Sequence, residues 1–158
     1  MDSHLLAYLA GVIDSDGTIG IKRTTYAMRV RGDSSVPLYS ERVAVHQVES
    51  HAVDLLKRLF GGYRGIRRPS TVRGKPLHSW QATDLRAVAV LRAIRPYLLI
   101  KAAQADNALA LRVVKDASRA ARTPRGRGHV GSIRRPEALG IEMERLNGIA
   151  HDLNRIGI

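Results

Sequence analysis

Two carboxylates one residue apart, Asp14 and Asp16, close the apolar stretch "LAGVIDSDG" (residues 9–17). Carboxylates so placed suit the ligation of hard cations, which prefer carboxylate and backbone carbonyl oxygens. Residues 3–15 are predicted as a helix with Ser3 as its N-cap, so both acids fall where the helix dipole is already negative. They need positive charge nearby to stay ionised. Leu5, Leu6, Leu9, Val12 and Ile13 form one apolar face at helical spacing, which belongs to the domain core. Ala7, Gly11 and Ser15, each four residues apart, make a second stripe of small side chains along which two backbones can approach closely. One copy per chain points to the same helix of a second subunit across a two-fold axis. That pairing would bring two Asp16 carboxylates together, and divalent cations would resolve the repulsion. A solvated turn aspartate before glycine is the plain alternative.

Composition narrows the partner. The chain has 158 residues and a formal net charge of +12, with 26 Lys and Arg, 21 of them arginine, against 14 acids. Guanidinium forks match phosphates and guanine edges, so this balance points to a polyanion; a ribosomal or merely solvated basic surface is the other possibility. There is no cysteine, which excludes disulfides, thiolate zinc sites and thiol nucleophiles. No apolar run approaches the roughly 20 residues that span a bilayer. The expectation is one soluble, intracellular domain over residues 1–158, in cytoplasm, nucleoid or an organelle, with no membrane partner and no nucleotide cofactor.

The remaining elements alternate. Strands are predicted over 18–31 and 38–48 around a turn at 32–37. A helix over about 50–60 closes on Gly61 and Gly62. A hairpin follows, "YRGIRR" and "LHSWQAT" joined by "PSTVRGKP". Helical pattern runs from Asp84 to about Arg119 with an interruption at Pro96, and a basic, Gly/Pro-rich loop occupies 119–136. A last helix over 137–158 carries Leu139, Met143, Leu146, Ile149 and Leu153 at helical spacing. The order α-ββ-α-ββ-α-α-α is an α+β domain.

"LAGVIDSDG" resembles the signature motif of the LAGLIDADG homing endonucleases, matching seven of its nine positions and departing only at Val12 and Ser15. Two weaker features also resemble that family: the glutamine in "HQVESHAVDLLKRLFG" and the lysine in "RPYLLIKAAQ". The resemblance implies an αββαββα fold with a saddle-shaped antiparallel sheet, here with additional C-terminal helices. It implies a site-specific DNA endonuclease which, with one motif per chain, acts as a homodimer on a long, pseudo-palindromic double-stranded site. It makes Asp16 the metal-ligating carboxylate, with the Ser15 carbonyl beside it, and Mg²⁺ or another divalent cation such as Mn²⁺ the cofactor. Gln47 matches the glutamine that orders water and metal, and Lys101 the basic residue that supports the transition state. A strand-end hydrogen bonder and a solvated lysine are the plain alternatives for these two. Asp14 is expected to be structural, as a cap or by polarising the partner motif. An intron-encoded or free-standing gene fits better than an intein.

Alternation along the strands divides the sheet into faces. With Ile19 and Ile21 inward, Gly20, Lys22 and Thr24 face out; with Val43 and Val45 inward, Arg42, Ala44 and His46 do. Ile66 inward leaves Gly65 and Arg67 out, and Trp80 and Ala82 inward leave Ser79 and Gln81. The polar members are candidates for base edges in the major groove. Arg31, Arg64, Arg68, Arg73 and Lys75, at strand ends and turns, are candidates for phosphates. Relatives of such enzymes can serve as RNA splicing maturases or as non-cleaving DNA-binding proteins on the same fold, which is the competing expectation. A basic RNA- or ribosome-binding protein would leave the motif helix unexplained.

Overall fold

The computed structural model describes residues 1–26, 36–69, 74–120 and 138–145. Helix α1 (Ser3–Asp16) runs without a loop into β1 (Gly17–Tyr26), followed by β2 (Val36–Gln47), α2 (His51–Phe60), β3 (Tyr63–Arg67), β4 (Leu77–Thr83), α3 (Leu85–Ile94), a 3₁₀ turn (Arg95–Tyr97) and α4 (Ala102–Ala120). A further helix, α5, covers 138–145. The strands form one antiparallel sheet in the order β1-β2-β4-β3. The predicted α+β order holds along the described chain, with differences at the boundaries. Asp2, not Ser3, caps α1, its carboxylate accepting the His4 N–H at 3.0 Å. The helical stretch after β4 starts at Leu85 and breaks over residues 95–101 rather than at Pro96 alone. Asp84 itself adopts φ 54, uncommon for a residue with a side chain. Arg119 lies inside α4, not in the basic loop. The rest of that loop, the outer part of the first hairpin and residues 146–158 lie outside the described residues.

All helices that touch the core pack on one side of the sheet. Leu9, Val12 and Ile13 of α1, Ile19, Val43 and Val45, Val53 and Leu56 of α2, Trp80, Leu91 and Ile94 of α3, and Ala105 and Ala108 of α4 form one buried cluster that Met143 joins. Trp80 donates its indole N–H to the Gly61 carbonyl at 2.7 Å. Gly62 at φ +87 then passes the β4 backbone so closely that a Cβ there would sit 2.6 Å from the Gln81 oxygen; only glycine fits this turn. Asn107 donates to the Leu139 carbonyl at 2.7 Å, which ties α5 to α4. The other face of the sheet carries no described helix.

Candidate active site and nucleic-acid interface

The end of α1 meets β1 at Gly17, where a Cβ would lie 2.7 Å from the Ile13 backbone. Glycine is required by close approach, not by its φ of −87. The Gly17 N–H returns to the Ile13 carbonyl, and the Lys101 ammonium donates to that same carbonyl at 2.9 Å and to the Asp14 carbonyl. Lys101 thus caps the negative end of α1 with a buried cation. Burial pushes its pKa down, and the charges of Asp14 and Asp16 partly offset that. Asp14 turns the other way. Its buried carboxylate accepts the backbone N–H groups of Leu99, Ile100 and Lys101 at 2.7, 3.3 and 2.9 Å. A forked Arg95–Asp106 ion pair at 2.6 and 2.7 Å steadies the preceding turn. Asp14 is structural, and within its own chain.

Asp16 is exposed. Its Oδ2 accepts the Gln47 side-chain N–H at 2.7 Å, so the fold brings together the three residues that the resemblance singled out. Among the described residues no group of three or more His, Cys, Asp or Glu could hold a metal. One exposed carboxylate and the Ser15 carbonyl, both hard oxygen donors, fit Mg²⁺ as it is usually held, by one or two carboxylates with water and substrate phosphates completing the shell. Ala7, Gly11 and Ser15 are all exposed, and a Cβ on Gly11 meets no described residue within 4 Å. Among the described residues nothing packs on this face.

Across the sheet the register places Thr18, Ala44, Gln81 and Tyr63 in one row of the open face, and His46, Ser79 and Gly65 in the next row toward Gln47. Lys22 and Thr24 lie further out along β1, Lys22 about 17 Å from Gly17 at a strand's rise per residue. Arg42 donates its Nε–H to Gln81 at 3.0 Å, so these two reach the open face as a pair. Burial, then Arg67 and Arg42, lower the pKa of His46, a sign of how electropositive this face is. Arg67, Arg68 and Lys75 are exposed; Arg31 and Arg73 lie outside the described residues. Arg64 does not join them. It shares the helix side with Trp80 and Ile66 and donates to Asp54 of α2 at 2.7 Å.

A second charged group was missed by sequence reasoning. Glu41 and Arg112, both fully buried, pair at 2.9 Å, and Asp84, Lys115 and, at 3.6 Å from Arg112, Asp116 complete the cluster. Period-two alternation from Val43 puts Glu41 inward, which is the one signal the sequence held.

No protein-family description matches this chain by sequence, and no curated protein matches it. Its backbone, however, superposes on solved structures over almost its whole length. The homing endonuclease I-CvuI, in complex with the I-CreI target and Mg, matches with a TM-score of 0.66, 99% of each chain covered and 16% identity. The fold is that of the LAGLIDADG homing endonucleases. Archaeal intron-encoded I-Vdi141I, complexed with DNA, matches at TM-score 0.62 and 11% identity over 98% of both chains. The LAGLIDADG enzyme I-LtrWI bound to target DNA matches at 0.64 and 13%, over 89% of this chain and 44% of its own.

Proposed function

We propose that this protein is a site-specific DNA endonuclease that acts as a homodimer on a long, nearly palindromic duplex and hydrolyses one phosphodiester in each strand. The observation that carries it is the contrast at the end of α1. Asp14 and Lys101 are consumed by hydrogen bonds there, while Asp16 stays exposed and is oriented by Gln47. Two α1 helices packed along Ala7, Gly11 and Ser15 would set two such carboxylates side by side, with the two open sheet faces forming one continuous surface.

The Asp16 carboxylate and the Ser15 carbonyl would hold a divalent cation, Mg²⁺ with Mn²⁺ as the alternative, which supplies charge stabilisation at the phosphate and an activated water. Gln47 holds Asp16 and orders solvent beside it. Lys101, two of whose protons serve the α1 carbonyls, fixes the helix end and adds positive potential where the phosphate charge grows. Lys22, Thr24, Arg42, His46, Arg67, Ser79 and Gln81 address base edges, and Arg68 and Lys75 address phosphates. The site of action would be the DNA of the host cell or organelle.

A cleavage selection on a randomised duplex library, with and without Mg²⁺, tests the proposal. Mg²⁺-dependent double-strand cuts at one recurring, roughly palindromic sequence are expected. Sequence-specific binding without cutting in any divalent metal would overturn it in favour of a DNA-binding protein.

A further inference from the structure

We propose that Tyr63 is a specificity-determining residue of the DNA-reading face, held in position because Gly65 has no side chain; this rests on the endonuclease reading above. Tyr63 opens β3 at the sheet edge and is 69% exposed. The register pairs it with Gln81 and pairs Gly65 with Ser79, and both partners belong to the open face. Two residues apart on a strand share a face at a separation of about 6.6 Å, so a tyrosine ring can lie across its i+2 neighbour. It does so here. A Cβ placed on Gly65 would sit 3.0 Å from Tyr63 Cε1, 3.1 Å from its hydroxyl oxygen and 3.2 Å from Ser79 Oγ.

The ring therefore fills the place of the missing side chain and points its hydroxyl toward the Ser79–His46 row. That row is one residue from the Gln47–His78 pair, and the Gln47 side chain donates to Asp16 at 2.7 Å. The ring and hydroxyl cover base pairs close to the scissile phosphates, while Lys22 and Thr24 lie over outer ones. An apolar ring beside a hydroxyl suits a thymine methyl next to a hydrogen-bonding base edge. A Cβ at 65 would push the ring from this position by a few tenths of an ångström, and a larger side chain would push it further.

The test compares wild type, Y63F, Y63A, G65A and the Y63A/G65A double variant. Binding and Mg²⁺-dependent cleavage are both measured on every single-base-pair variant of the wild-type target, with thermal unfolding as a fold control. Y63A is expected to lose about tenfold discrimination at one or two inner base pairs of each half-site and none elsewhere. G65A should act at the same pairs and add nothing further in the Y63A background, because the residue that it displaces is gone. Y63F separates the ring from the hydroxyl. An unchanged profile for Y63A, or a G65A effect at other base pairs, overturns the inference. Should G65A fail to fold, Y63A decides alone, since its side chain is exposed. A wild type that binds one sequence without cutting it sinks the endonuclease reading yet leaves the Tyr63 profile measurable. A wild type with no preferred sequence overturns both.

Discussion

Two clusters of carboxylates and basic residues sit at opposite ends of the sheet's helix side. At the far end Glu41 and Asp84 are matched by Arg112 and Lys115, with the Glu41–Arg112 pair sealed from solvent. At the α1 end Asp14 and Lys101 are equally buried, but Asp16 remains outside with an amide as its only described partner. Neutral closure is what a structural network needs. A carboxylate held in place and left open to solvent is what a cation site needs. What sets the α1 cluster apart is one acid left open, Asp16, and that acid is where function is to be sought.

The contrast can be broken first at its structural end. Arg112→Met should leave the fully buried Glu41 with Lys115, at 2.9 Å, as its remaining cation and cost about 3 kcal/mol of stability in urea unfolding, the low end for a broken buried pair. A loss within the error of the measurement would mean that the cluster does not hold the fold. At the other end, Gly11→Leu should prevent the proposed α1-to-α1 dimer and abolish cleavage. The monomer itself should melt no lower than wild type, since no described residue lies within 4 Å of the added Cβ and leucine is about 1 kcal/mol the better helix former. Sedimentation and thermal unfolding read the two effects apart. A cleaving dimer of wild-type mass would remove α1 as the interface.

Acid supplies the smallest effect. The Lys115 hydrogen bond, followed by Arg112, holds the Asp84 carboxyl at about 2 against an ordinary 3.8. Its folded-state pKa is depressed, so its stabilisation is complete above about pH 4 and is lost as pH falls toward 2. Asp84→Asn should flatten the stability curve in that window and leave it unchanged near neutrality apart from a constant offset. An undiminished acid slope in the variant would assign the titration to other groups.

How much of this was legible in the sequence follows from range. The helix, its two faces and the strand alternation are local, and they stand in the structure nearly as the pattern predicts. Asp16, Gln47 and Lys101 were named through the family motif, but nothing local shows that Lys101 reaches the α1 carbonyls 87 and 88 residues before it. Asp14 was expected to be structural; its partners, three consecutive N–H groups of a loop, depend on the tertiary path. The strand-end position of Arg64 suggests a phosphate contact, but alternation puts it on the helix side of the sheet with Trp80 and Ile66, where Ile66, expected inward, is itself 59% exposed. Asp54 waits for Arg64 there. The Glu41 cluster stayed hidden because inward positions were read as apolar, and its cations come from a helix late in the chain.

The most direct measurement is Asp16→Asn, followed in parallel by target cleavage, target binding and thermal unfolding. The side chain is exposed, and its described contact is with Gln47. Cleavage in Mg²⁺ should therefore fall by several orders of magnitude, while affinity for the specific duplex and the melting temperature stay close to wild type. Cleavage at the wild-type rate, or loss of binding and folding together with activity, would contradict the account and return Asp16 to the structural role that Asp14 already fills.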